Sequence, residues 1–142
     1  MKVKDIMTSH PACCRVDTTL ESVARMMLEC DCGEIPVVNN VIELRPIGVI
    51  TDRDIVCRTI AQGKNPLEMT ARECMTQPCV TVHPEMMLEE CCRILEENQI
   101  RRVPVVDEGG TCCGIVSMAD IATHHLRDKM VEVLEEVSQP SA

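Results

Sequence analysis

The spacing of apolar positions repeats along this chain. Leu20, Val23, Ala24 and Met27 fall at i, i+3, i+4 and i+7, and Leu88, Cys91, Cys92 and Leu95 do the same. That spacing puts four side chains on one helix face, and such a face has to be buried. An extended stretch precedes each helix, at residues 12–16 and 79–82. After each comes a short β-rich run, Ile35-Pro36-Val37-Val38 and Val103-Pro104-Val105-Val106, then a turn, then a second run at residues 47–50 and 114–116. Pro36 and Pro104 suit a strand start or edge, because proline offers no N–H to a ladder. Asp17-Thr18-Thr19 can cap the first helix, and Pro84-Glu85 is compatible with the start of the second. Further helices are expected from about Asp52 and Met118. The predicted order is β-α-β-β-α, twice, an α+β fold.

The halves are copies in register. Met7-Thr8 returns 68 residues later as Met75-Thr76, and the same offset pairs Pro36-Val37-Val38 with Pro104-Val105-Val106. It then drops to 66, pairing Gly48 with Gly114, Thr51 with Ser117 and Asp54 with Asp120. The change falls in segments 39–46 and 107–112, which carry loop signals. Asn65-Pro66 marks a linker, since the residue before proline resists helix. This divides the chain into a first unit at 1–62, a linker at 63–70, a second unit at 71–127, and a C-terminal amphipathic helix and tail at 128–142. Units of about 60 residues bury little core alone, so the two are expected to pack together.

Composition narrows the class. With 45% hydrophobic and 26% charged residues in 142, the chain is an ordinary globular one. Its longest apolar runs are strand-length, and Lys2, Lys4 and Asp5 interrupt any leader-like start, so a cytoplasmic protein with no membrane association is expected. A net charge of −9 disfavours nucleic acid. Phe, Tyr and Trp are absent, so 11 Cys and 10 Met must help to fill the core. The odd cysteine count argues against a disulfide framework.

The chemistry concentrates where the second strand of each repeat meets its helix. The segments read Gly48-Val49-Ile50-Thr51-Asp52-Arg53-Asp54 and Gly114-Ile115-Val116-Ser117-Met118-Ala119-Asp120. An Asp carboxylate can accept from both hydroxyls of a ribose. Thr51 and Ser117 sit where free helix N–H groups favour an anion, and they can equally cap the helix. Arg53 adds a charge for phosphate in the first copy, where the second has Ala119. Arg101 and Arg102 can supply it in the second, where the first has Gly33 and Glu34.

Met-Thr, a helix, a Pro-Val-Val strand and Gly-x-x-Thr/Ser-x-x-Asp, all in order twice, resemble a tandem pair of CBS domains, a Bateman module of the stand-alone prokaryotic type. The resemblance covers about nine tenths of the chain. It implies two domains packed through their sheets with pseudo-twofold symmetry, and a regulatory rather than enzymatic role. It further implies clefts for an adenine nucleotide (AMP, ADP or ATP) or S-adenosylmethionine as ligand, with no other cofactor. The expected ligand-binding residues are Thr51, Arg53, Asp54, Ser117, Asp120, Arg101 and Arg102, with adenine near Ala12, Ile35, Val80 and Val103. The expected partners are a second copy, forming a disc-shaped homodimer of four domains, and an effector protein. The differing phosphate-side residues predict unequal clefts.

The alternative is a redox- or metal-responsive protein using Cys13, Cys14, Cys30 and Cys32. No Cys-x-x-Cys pair supports a zinc finger, and core filling accounts for Cys91 and Cys92. Cys79 and His83 have only a loose spacing, and His124-His125 reads as a surface pair. No nucleophile–base pair or phosphate loop points to an enzyme. In the tail, Leu126, Met130, Val133, Leu134 and Val137 form an apolar helix face expected to pack on the module or on a second copy. Glu132, Glu135 and Glu136 disfavour a lipid surface.

Overall fold

The computed structural model describes residues 1–137. The first repeat supplies β1 (Thr8–Ser9), α1 (Leu20–Cys30), β2 (Glu34–Val38), β3 (Pro46–Thr51) and α2 (Asp52–Arg58). A short α3 (Ala71–Cys74) leads into α4 (Leu88–Asn98), β4 (Arg102–Val106), β5 (Cys112–Ser117) and α5 (Met118–Val137). Strands β2 and β3 pair antiparallel, and β1, β5 and β4 form a three-stranded sheet in that order. The expected extended stretches are present as parallel bridges, Cys14 to Val37 and Val82 to Val105. Residues 138–142 of the expected tail lie outside the described residues.

Local chemistry sets most boundaries. Thr19 caps α1 by accepting from the Ser22 amide at 3.2 Å. Pro84 and Glu85 lie in the turn before α4 rather than in its first turn; the helix begins at Leu88, after Met87. Helices α1 and α4 each end in a left-handed residue that is not glycine, Asp31 (φ 51°) and Gln99 (φ 52°). The next amides, Cys32 and Ile100, return to the carbonyls of Met27 and Leu95, both at 3.0 Å. The buried stripe of α1 is narrower than the heptad spacing predicted. Leu20, Val23 and Met27 are buried, Ala24 is exposed, and Met26 packs on the opposite flank.

The apolar residues form two clusters, and these are offset from the sequence repeats. The first joins Leu20, Val23, Ile35, Val37 and Ile50 to Met69, Ala71 and Cys74. The second joins Val82, Cys91, Leu95, Val103, Val105 and Val116 to Val3. The start of each repeat is thus buried in the core of the other. Val3 is fully buried there, its amide donating to Met86 at 2.9 Å, while Lys2 and Lys4 reach Glu85 at 2.6 and 2.8 Å. In the mirrored place, the Leu20 amide donates to Met69 at 3.0 Å and the Ala71 amide to Thr18 at 2.8 Å.

The chain then crosses between the cores at two matched points. Thr8 pairs with Ile115, and Thr76 with Val49. Each crossing runs over the glycine that opens a motif. A Cβ on Gly48 would stand 2.7 Å from the Thr76 carbonyl oxygen, and one on Gly114 would meet Met7 Sδ at 2.6 Å and the Thr8 carbonyl at 3.1 Å. Gly48 is required by close backbone approach and Gly114 first by the Met7 side chain and then by the Thr8 backbone, neither by φ.

Among the described residues no helix is long and apolar enough to cross a membrane. Met130, Val133 and Leu134 of α5 are exposed rather than packed on the module, and the side chains of Leu126 and Val137, expected on the same face, lie outside the description.

Candidate functional site

Both motifs sit at a strand-to-helix junction and close a reciprocal cap. At β3–α2 the Asp54 amide donates to Thr51 Oγ1 and the Thr51 amide to Asp54 Oδ2, both at 3.0 Å. At β5–α5 the Asp120 amide donates to Ser117 Oγ at 3.0 Å and the Ser117 amide to Asp120 Oδ2 at 3.2 Å. Capping is therefore common to the two copies. What surrounds the carboxylates is not.

Asp54 is engaged from within the chain. The Thr76 hydroxyl donates to its Oδ2 at 3.3 Å, and Arg58 Nη2 stands 3.8 Å from its Oδ1. Arg58 is itself anchored, with Nη1 donating to the carbonyls of Cys74 and Met75, both at 2.8 Å. Asp120 instead lines an open cleft of about 420 Å³. Ala12, Glu34 and Ile35 of the first repeat and Arg102, Ser117 and Asp120 of the second meet there. Asp120 also lines a second, polar depression of about 320 Å³, together with Asp5, His124 and Arg127.

Five of the eleven expected residues thus converge in one cleft: Ala12, Ile35, Arg102, Ser117 and Asp120. The other six are not among its lining. Thr51, Arg53 and Asp54 belong to the β3–α2 junction. Val80 and Val103 stand 68 residues after Ala12 and Ile35, on the pseudo-equivalent side; Val103 is fully buried in the second core, with Val80 packed against it. Arg101 is exposed, and its carbonyl accepts from the Met118 amide at 2.8 Å, at the start of α5.

The residue the sequence reading passed over is Glu34. It aligns with Arg102 at the offset of 68, so the two repeats place opposite charges at one position. Glu34 pairs in register with Thr51, as Arg102 does with Ser117. It is 6% exposed, and its Oε2 has no hydrogen-bond partner among the described residues. Burial pushes its carboxyl up to about 7; Arg102 opposes the rise and Asp54 adds to it. Next to it, Gly33 leaves space for Arg102, since a Cβ there would stand 3.1 Å from both Nη1 and Nη2. The signal available in the sequence was an ionisable residue at the head of an otherwise apolar strand.

All eleven cysteines are free. Cys14, Cys74, Cys91 and Cys112 are buried, as core filling requires, whereas Cys92, expected on the same buried face as Cys91, is only half-buried and belongs to neither core cluster. Burial pushes the thiols of Cys14 and Cys79 up to about 12 and that of Cys91 to about 11. Cys13 and Cys112, from opposite repeats, act on each other so that the first thiol is lowered and the second raised, while each donates to a backbone carbonyl, Pro11 and Gly114 respectively. Cys30 and Cys32 flank the cleft. Cys79 and His83 turn instead to backbone carbonyls, at 3.6 and 3.1 Å. His124 Nε2 lies 3.3 Å from Asp128 Oδ2, and His125 is exposed. Among the described residues no group of three or more His, Cys, Asp or Glu side chains is placed to hold a metal ion.

Comparison with known proteins agrees with this architecture. The family described as CBS domain matches residues 3–58 and 71–127. An uncharacterized protein of Methanopyrus kandleri is 41% identical over 83% of this chain, which spans 57% of that relative's length. The crystal structure of Hypoxic Response Protein I, which holds two coordinated zinc ions, is 36% identical with a TM-score of 0.77, covering 87% of this chain and 98% of that one. The CBS domain pair of protein MJ0100, in complex with 5′-methylthioadenosine and S-adenosyl-L-methionine, is 25% identical with a TM-score of 0.80, covering 90% and 98%.

Proposed function

The chain belongs to the CBS domain family as a tandem pair, and from that premise we propose that it is a regulatory module whose Asp120 cleft binds an adenosine-containing ligand. One observation carries the reading: Ala12 and Ile35 of one repeat meet Arg102, Ser117 and Asp120 of the other around a single opening of about 420 Å³. In this reading Asp120 takes the ribose hydroxyls, and the Ser117 hydroxyl and α5 N-terminus take the next polar group. Ala12 and Ile35 are the apolar walls for the base. Because the walls come from both repeats, a ligand bridges them and biases how they pack. That bias is the signal passed to a second copy or an effector.

The related pair that holds 5′-methylthioadenosine and S-adenosyl-L-methionine supports the same ligand class. Thr51, Arg53, Asp54, Val80 and Val103 form the pseudo-equivalent site, with Arg101 an outlying charge for phosphate. Asp54 is held there by Thr76 and Arg58, so we assign the tighter binding to the Asp120 cleft. Calorimetric titration with AMP, ATP and S-adenosylmethionine tests the reading. Binding that Asp120→Ala weakens and Asp54→Ala largely spares is the expected result. Silence from all three compounds would overturn it.

A further inference from the structure

Taking the adenosyl reading of the Asp120 cleft as its basis, we infer that Glu34 determines which adenosyl compound enters. It selects a ligand whose 5′ substituent carries a cation together with an anion, of the α-amino-acid class, over one that ends in phosphate. Three observations support this. Glu34 lines the cleft yet is 6% exposed, and its Oε2 has no partner among the described residues. A buried carboxyl oxygen without a partner is costly, and a ligand donor is the group that relieves it. Arg102 lines the same cleft and lies over Gly33, next to Glu34 in the chain. The cleft lining therefore holds a buried acid, Glu34, with a base, Arg102, close to it.

A phosphate satisfies only half of that pair. Its oxygens suit Arg102, but they meet an ionised Glu34 in a poorly solvated place, where like charges repel strongly. An α-amino-acid substituent satisfies both, its ammonium or sulfonium facing Glu34 and its carboxylate facing Arg102. The charged and titratable groups around Glu34 are Arg102 on β4, Asp52 and Asp54 on α2 and Cys79 before α4; Asp52 Oδ2 would stand 3.0 Å from a Cβ on Gly33, beside the Arg102 guanidinium. His10, Cys30, Asp31, Cys32 and Asp120 line the same cleft. Protonated Glu34 no longer repels phosphate and becomes a donor to it, so selectivity relaxes as pH falls.

The test titrates the full chain with S-adenosylmethionine and with AMP at about pH 7.5 and about pH 6, for the wild type and Glu34→Gln. At the higher pH the wild type favours S-adenosylmethionine by about tenfold or more, the scale of one buried charge contact. AMP recovers several-fold at the lower pH. Glu34→Gln removes both the preference and its pH dependence. A second measurement needs no variant: titration in buffers of different ionisation enthalpy shows AMP taking up protons near pH 7 that S-adenosylmethionine does not. A preference unchanged by Glu34→Gln, or AMP binding more tightly at the higher pH, overturns the inference while leaving the adenosyl reading standing. Failure of both compounds to bind in every form overturns the two together.

Discussion

The Thr76 hydroxyl donates to Asp54 Oδ2 at 3.3 Å, so the acid of the first motif is held by a residue that belongs, in sequence, to the second repeat. Asp54 also closes the cap on Thr51 and faces Arg58 at 3.8 Å. Asp120 closes the equivalent cap but opens on the cleft. Removing them should therefore have different consequences. Asp54→Ala is expected to lower unfolding free energy by about 1–2 kcal/mol, the range of a lost helix cap with one further bond. Asp120→Ala should cost less stability and more ligand affinity. Urea denaturation beside calorimetry of both variants checks the exchange.

The motif glycines give a second comparison. At Gly48 an added Cβ meets a backbone oxygen at 2.7 Å, which cannot move without shifting the crossing strand. At Gly114 its shortest contact is the far end of the flexible Met7 side chain. Gly48→Ala should cost about 1–3 kcal/mol, as overpacking does, and Gly114→Ala less. Thermal melts of the two variants suffice to rank them.

Val3 predicts that the N-terminus is structural for the wrong-seeming half. It is fully buried in the second core. Val3→Ala should cost about 2 kcal/mol, in the range for deleting buried methyl groups. Hydrogen exchange should show the loss of protection in α4 and β4 rather than in α1. Preferential loosening of α1 and β2 would contradict the exchanged cores.

Glu34 makes stability depend on pH. Its carboxyl is pushed up from the ordinary 4.5 to about 7 in the folded chain. A raised folded value means the folded state holds the proton more tightly. This contribution is fully present below about pH 4.5, is lost as pH rises to about 7, and stays flat beyond. The span amounts to about 3 kcal/mol by linkage. Glu34→Gln should abolish that slope between pH 5 and 7 in denaturant titrations, and a slope unchanged by the substitution would count against a raised carboxyl.

Thiol chemistry should divide along burial. Cys30 and Cys57 are exposed, whereas Cys14 and Cys91 are buried, with thiols pushed up to about 12 and about 11. Alkylation followed by mass spectrometry should label the first two in the native protein at neutral pH, and the second two only on unfolding.

Much of this molecule is written locally. The i, i+3, i+7 spacing of Leu20, Val23 and Met27, the Thr19 cap and the β-branched runs around Pro36 and Pro104 act within a few residues of themselves. Those elements, their order and their duplication can therefore be read from the chain. So can the pairing of Thr51 with Asp54 and of Ser117 with Asp120, because a cap spans a fixed three-residue distance. The left-handed ends at Asp31 and Gln99 could not be read, since neither is the glycine that usually announces them.

What the tertiary structure alone decided is everything that depends on which repeat lies beside which. The repeat unit of the sequence runs from Val3 or Ala71 onward, but each of those residues is buried in the opposite core. The reason is that a short unit cannot cover both of its apolar faces, and the lead-in of its neighbour covers the remaining one. The same exchange brings Ala12 and Ile35 to Asp120, engages Asp54 with Thr76, and sets Glu34 beside Arg102. The sequence determined the parts and their number; the packing of one copy against the other determined which acid was left facing a cleft.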